Sequence, residues 1–230
     1  MFAVIFLVQP KQERWNDYLD LAKYLKPKLE AIDGFIDNER FARLRHKGRV
    51  LSLSTWRDEK AVVRWRTQGE HHGVQEKGRF EIFEDYRLSV GEVIDDSGPP
   101  KGLRVQEQRF DTTEAGEAKV ATITELTPAK EGVLDAAAHD LAAQLGLDRS
   151  PDGLIDAEVF ASIYVPGKLL LLGRWQDAAA AKAWHPRRLA GAGTMRHRQV
   201  RIIRDYGMFD RREAPQYYRE VERSRQVAAE

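Results

Sequence analysis

Residues 2–9, Phe-Ala-Val-Ile-Phe-Leu-Val-Gln, are apolar almost without interruption and predict a buried strand. Over 12–30 the period changes. Trp15, Tyr18, Leu19, Ala22 and the apolar positions of 25–29 recur at helical spacing, and Ile32-Asp33-Gly34 turns the chain out of that helix. Residues 35–45 and 49–56 read as two strands hinged at Lys47-Gly48. Asp58 is placed to cap a helix over 59–68 that aligns Ala61, Val62 and Trp65 on one face. Residues 79–91 partly alternate and predict a closing strand, with Glu81, Glu84 and Asp85 as its polar face. The order β-α-β-β-α-β is that of a ferredoxin-like unit.

The order then recurs. Strands are expected at 119–125, 154–164, 168–175 and 196–206, with helices at 128–145 and 177–184. At an offset of 119 residues, Gly34-Phe35-Ile36-Asp37 falls on Gly153-Leu154-Ile155-Asp156, Phe41 on Phe160, Gly48 on Gly167, Trp56 on Trp175, Asp58 on Asp177 and Trp65 on Trp184. After one inserted residue Asp85-Tyr86 falls on Asp205-Tyr206. Paired tryptophans repeating in register indicate a diverged duplication. The chain therefore divides into a first unit (1–93), a linker (94–117), a second unit (118–212) and a C-terminal helix or tail (213–230). The linker opens on the breaker run Asp-Asp-Ser-Gly-Pro-Pro, and Leu103–Phe110 predicts an extra strand. Tyr217, Tyr218 and Val221 suggest a terminal helix. Helices cover one face of each sheet. The other face, if apolar, needs a partner, and a tethered second sheet is the nearest one. The expected fold is α+β: two tandem ferredoxin-like units pairing as an intramolecular α+β barrel.

Composition narrows the chemistry. Of 230 residues, 42% are hydrophobic and 32% charged, an ordinary globular balance. The net charge of +1 lacks the footprint of a general nucleic-acid binder, so no nucleic-acid partner is expected. With no cysteine, disulfides, thiolate metal sites and thiol nucleophiles are excluded. No apolar run approaches the ~20 residues of a membrane span, and the N-terminal strand lacks the basic start of a signal peptide. We expect a cytoplasmic protein with no membrane partner. Phosphate-binding loops and nucleophile elbows are absent.

The pattern Trp56-(eight residues)-Trp65, after a Gly-hinged hairpin and before His71-His72 and Arg79, resembles the antibiotic biosynthesis monooxygenase family, a branch of the dimeric α+β barrel superfamily. The match covers most of residues 2–92, and the second copy follows it more loosely. The resemblance implies a barrel of paired units, here a pseudo-dimeric monomer able to dimerise further. It also implies a small-molecule pocket between sheet and helices, with Trp65 at the substrate; the competing reading of Trp65 is core packing. In the haem-degrading branch an axial histidine stands where this chain has Gln75, and an asparagine belongs on the first strand, where Ile5, Phe6, Leu7 and Val8 lie. The branch that oxidises polycyclic phenols has an asparagine where this chain has Ala61. Haem degradation is therefore ranked last. His71 or His72 is the candidate catalytic base, since histidine titrates near pH ~6.5 and a cofactor-free oxygenase needs only a base to form a substrate anion that itself meets dioxygen. Trp65, Gln75 and Arg79 are the substrate-binding candidates, Arg79 matching a basic position of the haem branch. No cofactor and no metal are expected, because adjacent histidines chelate one ion poorly. The function expected is a cofactor-independent monooxygenase acting on a small aromatic or quinone-type molecule. The alternative is a non-catalytic small-ligand-binding or stress-related assembly protein. An enclosed cavity in the first half, touching Trp65 and a histidine, would favour the enzyme. An interior filled by Phe6, Phe35, Phe41 and Phe83 would favour the alternative.

Overall fold

The computed structural model describes residues 1–45, 48–130, 132–134, 137–147 and 151–222. The first unit comprises β1 (Phe2–Pro10), α1 (Trp15–Glu30), β2 (Phe35–Arg43), β3 (Val50–Trp56), α2 (Glu59–Thr67), α3 (Gly69–Lys77) and β4 (Phe83–Asp96). The second comprises β5 (Val120–Pro128), β6 (Leu154–Ser162), β7 (Leu169–Trp175), α4 (Ala178–Ala183) and β8 (Ala192–Gly207). All strand pairs are antiparallel. They close into one barrel in the order β1-β3-β2-β6-β7-β5-β8-β4.

The two units meet at two seams of unequal length. Between β4 and β8 the register runs from Arg87 opposite Gly207 to Asp96 opposite Arg198. Between β2 and β6 it covers only Phe41–Ser162, Ala42–Ala161 and Arg43–Phe160. The shorter seam is reinforced by Arg43–Glu158 at 2.9 Å and by Ser162 Oγ donating to Glu39 at 2.6 Å.

Alternation along the strands sorts the side chains. Ala3, Ile5 and Leu7 of β1 enter the barrel with Phe41, Leu51, Leu53, Ile123, Phe160, Leu170 and Leu172. Phe2 and Val8 face outward, packing among residues of α1 and α2. The expectation that each sheet covers the other's apolar face is met. Duplicated details are also visible. Asp58 Oδ1 accepts from the Ala61 N–H and Asp177 Oδ1 from the Ala180 N–H, both at 2.8 Å, capping α2 and α4 alike.

Several elements differ from the expectations. The helix expected over 128–145 is replaced, in its described part, by turns followed by a short wide helical stretch, Ala143–Leu147. Gly132 and Gly146, at φ 76° and 100°, take backbone conformations that an α-helix cannot hold. The strand expected over 103–110 does not form. The backbone N–H groups of Gln108 and Arg109 instead donate to the buried carboxylate of Glu92, at 2.7 and 2.8 Å. Leu103 and Val105 then pack against the barrel core. Residues 69–82 are helical, as α3 and a π-type turn (Gly78–Ile82), where the pattern suggested a helix end or loop and an early start to β4. The terminal helix does not form over 213–222, and residues 223–230 lie outside the described residues. No helix among the described residues is long and apolar enough to cross a membrane.

Candidate functional site

A cavity of about 210 Å³ lies in the first unit between the outer face of the sheet and α1, α2 and α3. Strand register builds its floor. Arg40, Ser52, Phe6, Leu88 and Tyr206 lie side by side across β2, β3, β1, β4 and β8. The next rung on the same face is Asn38, Ser54, Val4, Val90 and Arg204. The floor is thus apolar in the middle, polar on β2 and β3, and basic on β8. Asn38 is fixed there, its Nδ2 donating to Ser52 Oγ at 3.1 Å and to Leu53 O at 3.0 Å.

The wall near α2 and α3 is set by a break between the helices. Gln68 is extended, and its side-chain oxygen accepts from the His71 N–H at 2.6 Å, starting α3. That turn folds His71 back over Trp65, with the rings 4.0 Å apart and nearly parallel at 14°. The His71 Nδ1 lies 2.9 Å from the Trp65 carbonyl. A carbonyl only accepts, so Nδ1 carries the proton and Nε2 keeps its lone pair. Burial drives the His71 pKa down to about 4, against the partial support of that hydrogen bond, and the neighbouring His72 lowers it further. The imidazole is neutral throughout the physiological range.

The other candidates fall in different places. Trp65, His71 and Gln75 line the cavity, which touches the tryptophan and a histidine as expected but is partly open to solvent rather than enclosed. Phe6 and Phe83 line it rather than fill it, Phe35 packs edge-on to Trp56, and Phe41 is inside the barrel. His72 is exposed, stacked on Tyr218, and its Nδ1 lies 3.1 Å from the Tyr218 hydroxyl. Arg79 is buried outside the cavity lining, donating to Met208 O at 2.7 Å, Tyr86 Oη at 3.2 Å and Arg219 O at 3.2 Å. Gln75 Oε1 accepts from Gln216 Nε2 and the Tyr218 hydroxyl, each at 3.3 Å. An engaged amide at the position of the axial histidine does not fit a haem. Among the described residues no group of three His, Asp or Glu side chains could hold a metal ion.

Other lining residues had no motif to mark them. Tyr18, Asn38, Arg40, Arg204, Gln216 and Tyr218 reach the cavity from four separate stretches of chain. Only the alternation of Asn38 and Arg40 on β2 could have pointed to two of them.

The second unit treats the same face differently. Trp184, the counterpart of Trp65, turns inward onto Trp175 with rings 5.8 Å apart and meets His197 edge-on. Leu134, Leu141, Leu145 and Leu171 join the two tryptophans in a packed cluster.

Comparison with known proteins agrees with this architecture. The family model described as antibiotic biosynthesis monooxygenase matches residues 1–77. A protein of Pyricularia oryzae named "Jasmonate monooxygenase ABM" is 40% identical over 223 residues, covering 95% of this chain and 98% of its own length. The chain belongs to the antibiotic biosynthesis monooxygenase family. Within that family this is a tandem form, in which one chain supplies both halves of the barrel. Among solved structures, an aldoxime dehydratase in complex with butyraldoxime aligns at a TM-score of 0.56 and 11% identity, covering 88% of this chain and 79% of that one. A second aldoxime dehydratase aligns at 0.55 and 13%, covering 88% and 81%. At such identities they share the fold with this monooxygenase-family chain and nothing more.

Proposed function

We propose that this chain is a monooxygenase that binds one small, mainly apolar molecule in the first-unit cavity and oxidises it beside Trp65 and His71. The observation that carries the reading is the His71 ring. It is held neutral in an apolar cavity, with Nδ1–H on the Trp65 carbonyl and the Nε2 lone pair left to act.

In this reading Nε2 takes a proton from an acidic C–H or O–H of the substrate. The resulting carbanion or phenolate reacts with dioxygen. For a CH₂ group beside a carbonyl the balance closes without an outside reductant: CH₂ and O₂ give C=O and H₂O. Trp65 presents its ring to the substrate. Gln75 contacts it from the side where the tail folds over. Arg79 holds that end together through Met208, Tyr86 and Arg219. The candidate substrates are small aromatic or quinone-type molecules, and the name of the Pyricularia oryzae relative adds jasmonates.

Oxygen uptake with phenols, quinols and a jasmonate tests the proposal. Removing a general base lowers the rate by about 10²–10⁴-fold, so His71→Ala should lose most uptake while His72→Ala keeps it. Undiminished uptake in His71→Ala would overturn His71 as the base. Binding without uptake for every compound would favour a non-catalytic ligand-binding protein of the same fold.

A further inference from the structure

The cavity holds more positive charge than its own carboxylates balance. Its lining includes Arg40, Arg66 and Arg204, and among the described lining residues the only acidic side chain is Glu59. Glu59 is already committed to Arg109 at 2.7 Å. Arg40 forms no ion pair with any described carboxylate, and its buried Nε has no hydrogen-bond partner. Beside it is Tyr18 of α1, only 6% exposed. The Tyr18 Oη is also buried, with Arg40 both the first charge acting on it and its hydrogen-bonding neighbour, while its own O–H meets no described acceptor. A buried hydroxyl and a buried guanidinium N–H left unmatched are each costly. Even where the Tyr18 oxygen accepts from Arg40, the Tyr18 O–H and the remaining Arg40 N–H groups are donors at the polar end of the cavity with no acceptor of their own. A carboxylate supplies what is missing, since it accepts from several donors at once and neutralises the cation.

We infer that Arg40 and Tyr18 bind the anionic head of the substrate, which is therefore a carboxylic acid with an apolar body. The inference rests on the reading of this cavity as the substrate site. The geometry also sets the length of the molecule. Arg40 is on β2, whereas Trp65 packs beside Val4 of β1 and Val90 of β4. In the strand order β2-β3-β1, two spacings of ~4.8 Å separate the anion site from the near edge of that strip. The carboxylate and the reacting carbon should lie about 10 Å apart. Arg66, on the α2 side, has a buried unpartnered Nε as well, and an Arg66→Gln variant separates the two cations.

Calorimetry on the full chain with matched pairs, each an acid and its methyl ester, tests the inference apart from turnover. The pairs are jasmonate, 4-phenylbutyrate and octanoate. Charge-assisted hydrogen bonds of this kind correspond to a preference of about 10–100-fold for the acid over the ester. Arg40→Gln should abolish that preference, and Arg40→Lys should retain part of it. Tyr18→Phe should weaken acid binding several-fold while leaving the affinity for the methyl ester unchanged. Arg66→Gln should leave the preference intact. Equal affinity for acid and ester, no binding of any acid at millimolar concentration, or loss of the preference in Arg66→Gln instead of Arg40→Gln would each overturn the assignment. An acid preference lost in Arg40→Gln, without oxygen uptake in the wild type, would support the anion site and refute the monooxygenase reading.

Discussion

Trp65 and Trp184 began as the same position and now do opposite things. Trp184 is enclosed by Trp175, His197 and a leucine cluster, while Trp65 shares one side with the cavity. Truncating a buried tryptophan costs about 3–5 kcal/mol, so Trp184→Ala should show that loss in urea titration and Trp65→Ala distinctly less. Histidine protonation supplies a second expectation. Burial lowers both His71 and His197 to about 4, from an unfolded value near 6.5. Between those two pH values the unfolded chain binds more protons than the folded one. Stability should therefore be full above about pH 6.5 and fall as pH drops toward 4. A lower urea midpoint at pH 5 than at pH 7, with the difference reduced in His197→Gln, is the expected result; a flat midpoint would contradict it. Sequence spacing brought Trp65 and the His71-His72 pair to the same end of the unit. It did not distinguish His71 from His72, because which of two neighbours faces inward depends on where Gln68 breaks the helix.

At the scale of elements, the tail is the least expected component. Residues 213–222 carry aromatic residues at helical spacing but run over the cavity without forming a helix. Pro215, Gln216 and Tyr218 line it. Gln216 also donates to the Arg66 carbonyl at 3.2 Å, and Arg211 donates to the Gln216 carbonyl at 2.7 Å. Tyr218 also stacks on His72, Arg79 donates to the Arg219 carbonyl, and Glu213 accepts from Thr113, Ala115 and Asp205, so the tail is held by polar and ring contacts rather than by helix formation. Gln216→Ala combined with Tyr218→Ala should speed amide exchange in α3 without changing exchange in β5 or β7. Unchanged exchange in α3 would show that the tail does not hold this wall. The missing helix at 128–145 has a similar origin. Apolar periodicity was present, but Gly132 interrupts it with a positive φ.

For the molecule as a whole, the seam between β4 and β8 is where two sequence copies become one barrel. Gly91 sits in it at a register shift, and a Cβ there would stand 2.3 Å from the Arg201 carbonyl oxygen and 2.6 Å from Val200 Cγ1. Gly91→Ala should therefore lower the melting temperature by roughly 4 °C or more, since each kcal/mol moves a chain of this size by about 2–4 °C. An unchanged melting temperature would mean that the seam can shift. Much of this architecture was legible in the residues themselves. Hydrophobic period, turn glycines and the capping aspartates are local signals, and the 119-residue repeat of paired tryptophans made two units evident without any contact information. The cavity was not legible in the same way. Tyr18, Arg40, Arg204 and Gln216 are far apart in the chain and share no spacing; antiparallel register and the returning tail bring them to one space. The sequence by itself determined the eight barrel strands to within a few residues, the duplication and the pairing of the two sheets, because each follows from local periodicity and the need to bury apolar faces. Only the tertiary structure decided that one copy keeps an open, basic cavity beside its tryptophan while the other, among the described residues, packs the counterpart tryptophan against leucines, because that outcome depends on side-chain volume and unpaired charge summed over strands distant in sequence.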